Sequence, residues 1–207
     1  MKKLLETFEA LKQKNLSIDL TRGKPHSNQL DLSNDLMTQA VDPIGENGVD
    51  LRNYGEPIGI IEARKLGADI LDSKIDLTIA GEQSSYLLMT QLLLGRFLFG
   101  IDDDPWKDDK EPAFICAVPG FDRHFATLEG LGLKMHTVNL CSSGIDLDDL
   151  NKKLSKYQNI KGLICVPRHS NPSGEVFSDE NITNLLKITK EYNPSFINLF
   201  DHAYLIH

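Results

Sequence analysis

The chain has 207 residues, 41% of them apolar and 25% charged, an ordinary composition with enough apolar material for a sizeable core. Its 22 basic and 30 acidic residues leave a formal net charge of -8, which argues against non-specific attraction to nucleic acid or an anionic membrane surface. Three cysteines, Cys116, Cys141 and Cys165, lack C-x-x-C spacing and read as free thiols in a reducing compartment, which points to the cytoplasm.

In chain order, Leu4, Leu5, Phe8 and Leu11 give the opening segment one apolar helical face. The segment has no uninterrupted apolar core or cleavage-like end, so it reads as a mature amphipathic helix and not a signal peptide. So short a helix must pack on something else. Ser17 to Gly48 shows little periodicity and reads as an arm running over a domain or subunit surface. Pro57 sits near the start of a helical stretch reaching Leu71. Leu77 to Ala80 is a strand candidate, followed by a turn through Ser84 and Ser85 and a buried helix from Tyr86 to Phe99. Thr90, Gln91 and Arg96 interrupt that helix, which is too short to span a membrane. The two serines fit either a helix cap or an anion seat made of free backbone donors.

Asp102 to Pro112, DDDPWKDDKEP, reads as a solvated loop without the ligand order of a calcium site. Strands are then expected at Ala113–Val118, Lys134–Leu140, 160–166 and 196–200. Helices are expected at Phe121–Leu131, after an Asp146 cap with Asp149 as the acidic end of a capping box, and after Ser178. This alternation from Leu77 onward predicts βαβ units with right-handed crossovers in a mostly parallel α/β sheet. The strand ending at Phe200 lacks a covering helix, which predicts that the chain is the N-terminal part of a longer protein. The expected division is a helix and extended arm over residues 1–50 and an incomplete large domain over residues 51–207.

The most informative stretch is GLICVPRHSNPSG, Gly162 to Gly174. Its apolar run suits a buried parallel strand, Pro167 ends it, and a polar turn carrying Asn171 follows. A second strand ends in Asp201 and Tyr204. Ligands of open α/β sheets sit beyond the carboxyl ends of strands, so these residues stand where chemistry is placed. Taken alone, Asp201 fits a helix cap or salt bridge, Asn171 a turn residue, Tyr204 and Phe121 ordinary packing. The histidines do not combine with the cysteines into metal-ligand spacing, so no metal is expected, and no GxSxG elbow or Walker loop is present.

Five motifs in matching order carry a resemblance over Ile18 to His207. Asn171-Pro172-Ser173-Gly174 resembles the Asn-Pro-Thr-Gly turn of fold-type I pyridoxal-phosphate enzymes, and Asp201-His202-Ala203-Tyr204 their Asp-x-Ala-Tyr signature. LTRGKP at Leu20–Pro25, RNYG at Arg52–Gly55 and PGFDRHF at Pro119–Phe125 resemble a family of aspartate-type aminotransferases described as MocR-like. The resemblance implies the large domain of that fold, lacking its last strands and its C-terminal small domain. It implies a pyridoxal 5′-phosphate cofactor, an amino acid and a 2-oxo acid as substrates, and a homodimer.

By the same resemblance Asp201 pairs with the cofactor ring nitrogen, and Asn171 and Tyr204 donate to the ring 3′-oxygen, with Asp201 and Tyr204 serving catalysis. Phe121 stacks on the ring without the hydroxyl of the usual tyrosine. Ser84 and Ser85 seat the phosphate, with Glu82 required to point away from it. Tyr54 reaches the phosphate of the neighbouring subunit, and Gly23 belongs to a loop over the substrate. Asp122, Arg123 and His124 receive no role. The family's covalent lysine and substrate-binding arginine fall downstream of the Asp-x-Ala-Tyr segment, which implies that this chain alone is inactive. The alternatives are a truncated non-catalytic protein, or a pyridoxal-phosphate lyase or decarboxylase.

Overall fold

The computed structural model describes residues 2–18, 23–101 and 104–206. Leu20–Arg22 of the LTRGKP motif, Asp102 and Asp103 of the acidic stretch, and His207 lie outside the described residues. The chain divides into two compact units, residues 1–44 and 45–207.

In the first unit the amphipathic pattern forms helix α1 (Lys2–Gln13). Every described residue of this unit is exposed, including Phe8 and Leu11 on the apolar face of α1. Where a featureless arm is expected, a short helix α2 (Ser27–Asp31) forms instead. Its start is fixed locally: His26 Nδ1 accepts from the Asn28 amide at 3.2 Å, and Gln29 Oε1 accepts from the His26 amide at 2.7 Å.

The second unit holds one sheet of five strands, β1 (Ala113–Val118), β2 (Lys134–Cys141), β3 (Gly144–Ile145), β4 (Ile160–Cys165) and β5 (Ile197–Phe200). Their spatial order is β3-β2-β1-β4-β5. β1 runs parallel to β2 and β4, and β4 parallel to β5, while two-residue β3 pairs antiparallel with β2. The mostly parallel α/β sheet expected from the alternation is therefore present. Helices α3 (Ile61–Leu71) and α4 (Ser85–Leu98) precede it, and α5 (Asp122–Gly130), α6 (Leu147–Lys156) and α7 (Asp179–Tyr192) connect its strands.

Period-2 alternation sends successive strand residues to opposite faces, and both faces are covered. Phe114, Cys116 and Ile164 pack with Leu93 of α4, Leu128 of α5 and Trp106. Ile115, Val138 and Leu163 pack on the other side with Leu150 of α6 and Leu185 of α7. Gly162 has a steric reason: a Cβ there would lie 2.5 Å from the Ile197 carbonyl oxygen and 2.7 Å from the Phe114 ring. The absent side chain lets β5 and Phe114 close on β4.

Four local expectations are corrected. Leu77–Ala80 is not a strand; Ile75–Leu77 is a 3-10 turn and the residues after it are extended without a ladder. Arg64 takes the carbonyls of Thr78 (2.9 Å) and Ile75 (2.7 Å), and Ala80 donates to the Ile58 carbonyl at 3.0 Å, so the Thr78 carbonyl and the Ala80 amide are satisfied without a neighbouring strand. The helix expected near Pro57 begins only at Ile61, because Gly59 turns through φ +88° against the Ala80 carbonyl. The acidic stretch is not wholly solvated: Trp106 is 1% exposed, tilted on Phe114 at 5.6 Å with the Arg96 guanidinium 5.2 Å from its ring. Asp146 caps α6 by accepting from the amides of Asp148 and Asp149, but the Asp149 carboxylate accepts from the Asn139 amide instead of closing a capping box.

Because β1, β4 and β5 are parallel, the segments after Val118, Cys165 and Phe200 all leave from the same edge of the sheet. Among the described residues no helix is long and apolar enough to cross a membrane.

Candidate functional site

The segment after β4 closes on itself. The Phe177 amide donates to the Pro167 carbonyl at 2.8 Å, and the Ser170 amide to the Glu175 carbonyl at 2.9 Å. This holds Asn171 at the sheet edge, with the Asn171–Pro172 bond cis. After β5 the Asp201 amide donates to the Cys165 carbonyl at 2.9 Å, which continues the β4–β5 ladder by one step. Asp201 is thus placed by the sheet and not by a loop. After β1, the Val118–Pro119 bond is also cis, and Phe121 forms the N-cap of α5.

These segments and the start of α4 enclose a cavity of about 220 Å³. Ser84, Ser85, Phe121, Asn171, Asp201 and Tyr204, all singled out in the sequence, line it together with Tyr86. Ser84 is the N-cap of α4 but its hydroxyl makes no cap bond. Glu82, whose charge would oppose an anion at this turn, does not line the cavity; its carboxylate accepts from Gln91 Nε2 at 2.7 Å.

Two residues singled out in the sequence are not among those lining the cavity. Tyr54 is 96% exposed and lines no part of this cavity. Gly23 belongs to the unit of residues 1–44, where a Cβ would meet no atom within 4 Å.

Asp201 is 7% exposed, and burial of a carboxylate demands partners. Its Oδ1 accepts from the Ala203 amide at 3.1 Å, and its Oδ2 lies 3.0 Å from His124 Nε2. His124 is 3% exposed, and its ring meets the edge of Phe121 at 5.1 Å and 88°. One helical turn of α5 therefore delivers both the aromatic wall and the support for the carboxylate. His124, left without a role by its sequence context, is the residue that supports this cavity-lining carboxylate. Its neighbours Asp122 and Arg123 are exposed. Burial, and then the negative charge of Asp201, push the Cys165 thiol upward, so it stays protonated beside the carboxylate. Burial lowers His202, with Asp201 opposing the shift.

The lining offers a carboxylate, hydroxyls at a helix N-terminus and an aromatic ring. That set suits a flat molecule with a cationic ring atom and an anionic tail. Among the described residues no lysine lines the cavity. Among them, too, no group of three or more His, Cys, Asp or Glu could hold a metal ion.

The aspartate amino-transferase family model matches residues 1–207. A curated aspartate aminotransferase of Corynebacterium glutamicum is 37% identical over 206 residues, covering 97% of this chain and 47% of that protein. A solved aspartate transaminase structure from the same species superposes with a TM-score of 0.87 at 36% identity, covering all of this chain and 49% of that one. A PLP-bound C-S lyase of Staphylococcus hominis, at 21% identity and a TM-score of 0.51 over 70% of this chain and 37% of that one, shares the fold alone. The chain spans about half the length of the curated relatives it matches.

Proposed function

Because the chain belongs to the aspartate amino-transferase family, we propose that its residues form the cofactor-ring half of a pyridoxal 5′-phosphate-dependent aminotransferase. The protein to which they belong moves an amino group from an amino acid, of aspartate type, to a 2-oxo acid. The observation that carries this reading is the convergence of Ser84, Ser85, Phe121, Asn171, Asp201 and Tyr204 on one cavity, with Asp201 buried and backed by His124.

When bound, the cofactor supplies an electron-accepting ring and a carbonyl that exchanges the amino group. Asp201 keeps a proton on the ring nitrogen, because a cation in a buried site needs a fixed counter-charge. His124 would hold the carboxylate in place, so that its orientation is set before the cofactor binds. Asn171 and Tyr204 donate to the ring 3′-oxygen, both now against the same cavity as Asp201. Phe121 covers one ring face and excludes water. Ser84 and Ser85, at the N-terminus of α4, take the phosphate.

Tyr54, fully presented to solvent in one copy, would serve the phosphate of a second subunit in a homodimer. Gly23 would border the substrate. Free Cys116, Cys141 and Cys165 fit work in the cytoplasm.

A second reading is favoured by one observation: no lysine lines the cavity among the described residues. On that reading residues 1–207 hold the cofactor reversibly and do not by themselves transfer an amino group. Asp201, Asn171 and Tyr204 tune a ring without choosing its reaction, so lyase chemistry uses the same residues. Titration of the 207-residue chain with pyridoxal 5′-phosphate, followed by cofactor absorbance, tests the binding. An assay of amino transfer from aspartate to 2-oxoglutarate tests the reaction. Saturable binding that Asp201→Ala weakens supports the site. Absence of saturable binding overturns it, and turnover by residues 1–207 alone overturns the second reading.

A further inference from the structure

Tyr86, the second residue of α4, lines the cavity directly after the Ser84–Ser85 turn. Its hydroxyl oxygen lies 2.9 Å from Thr127 Oγ1 on α5. Thr127 Oγ1 also lies 3.2 Å from the Arg123 carbonyl oxygen, one turn earlier on the same helix. A threonine hydroxyl has one proton and two lone pairs, so it cannot donate to both neighbours at once.

Two proton arrangements follow. Thr127 can donate to the Arg123 carbonyl and accept from Tyr86, or it can donate to Tyr86. In the second arrangement the phenolic proton is released for a third group. Thr127 keeps a donor bond in both, so the change requires rotation of two hydroxyls and leaves no buried donor orphaned. An acceptor inside the cavity can therefore select the second arrangement at little cost. Phe121, which also lines the cavity, carries no hydroxyl.

Resting on the cofactor assignment above, we propose that Tyr86 is a positioning residue for the cofactor phosphate. Its hydroxyl donates to a phosphate oxygen beside Ser84 and Ser85, and Thr127 turns its own proton to Tyr86 in exchange. Tyr86 thereby adds a side-chain donor at the start of α4, where the helix dipole already favours an anion. No proton leaves either residue; both hydroxyls only reorient.

The test compares wild-type chain, Tyr86→Phe and Thr127→Val in titrations with pyridoxal 5′-phosphate and with pyridoxal, which lacks the phosphate. Tyr86→Phe keeps the ring and its packing, and near-ultraviolet circular dichroism checks the fold of each variant. The expected result for Tyr86→Phe is an affinity for pyridoxal 5′-phosphate lowered about tenfold, the size of one hydrogen bond to a charged acceptor, with pyridoxal binding unchanged. Thr127→Val removes the competing acceptor, so pyridoxal 5′-phosphate affinity is retained or improved.

Equal affinity of wild type and Tyr86→Phe for pyridoxal 5′-phosphate overturns the inference. So does an equal loss for pyridoxal, which would make Tyr86 a ring wall, or a loss in Thr127→Val matching that of Tyr86→Phe, which would make the tyrosine–threonine bond structural. Absence of saturable binding in the wild type overturns the parent assignment and this inference together, a result distinct from the others.

Discussion

His124 Nε2 and Asp201 Oδ2 lie 3.0 Å apart in a buried contact between residues 77 positions apart in sequence. The pair joins the first turn of α5 to the residue that follows β5. Its strength reaches the cavity because Asp201 lines it while His124 stands behind.

Removing either member is therefore expected to have unequal effects. Asp201→Asn keeps the shape of the side chain but loses its charge, and pyridoxal 5′-phosphate affinity is expected to fall tenfold or more, about the size of a charged hydrogen bond. His124→Asn leaves Asp201 with its Ala203 amide bond, so the affinity loss is smaller. Its main effect is on folding, about 1–3 kcal/mol for an orphaned buried polar group. Denaturant unfolding alongside cofactor titration separates the two, and a larger binding loss in His124→Asn would contradict the assigned roles.

Phe121 is expected to act through its ring and not through a polar atom. Phe121→Ala loses the cavity wall and the edge contact to His124, an aromatic pair of about 0.5–1.5 kcal/mol beyond its buried area. Phe121→Tyr keeps both and is expected to bind pyridoxal 5′-phosphate like the wild type. The titration that checks this fails the reading if the tyrosine variant binds as poorly as the alanine.

A pH effect on stability is expected at the opposite edge of the sheet. His136 stacks on Tyr157 with ring centroids 3.6 Å apart and planes within 8°. Burial first, then the positive charges of Lys153, Lys156 and Lys134, hold it below the ordinary histidine value of 6.5. The unfolded chain thus takes up this proton at higher pH than the folded chain. Stability from this residue is intact above 6.5 and declines as pH falls below it, because the unfolded state binds more protons there. Unfolding of His136→Gln across pH 7.5 to 5 is expected to show a shallower decline than wild type; identical slopes would exclude the residue.

Thiol reactivity follows burial in the same way. Burial pushes Cys116 up to about 12 and Cys165 upward as well, while Cys141 is exposed. At neutral to mildly alkaline pH, alkylation of the native chain read by mass spectrometry is expected to modify Cys141 and spare the other two. Modification of Cys165 without unfolding would show that the carboxyl end of β4 opens.

The sheet and most of the cavity wall were legible because strand ends carry their own punctuation. Pro167 closes an apolar run before Asn171, and β5 runs straight into Asp201, so both residues announce a strand's carboxyl end. Interactions between distant segments left no such mark. Nothing near His124 signals a carboxylate just after β5, and Tyr86 reads only as the first apolar residue of a helix, its contact with Thr127 being set by how α4 and α5 pack. Local pattern also misled where side chains took over backbone duties. Leu77–Ala80 has strand character, but Arg64 occupies the Thr78 carbonyl that a ladder would use. Trp106 was hidden by its acidic neighbours, although one tryptophan buries enough surface to draw that segment onto Phe114.

The position of β5 at the rim of the sheet also sets when the cavity can exist. β1 pairs with β2 through one crossover, with β4 only after a second helix, and Asp201 reaches its place only once β5 docks on β4 through a third. Such distant parallel pairings form slowly, since chain entropy is lost before the contacts compensate it. Ser84, Phe121 and His124 are in place on earlier segments, yet until β5 arrives they face no carboxylate. A collapsed chain with full helical content and four strands would thus be blind to the cofactor, and ligand capture during refolding would time the arrival of a single edge strand.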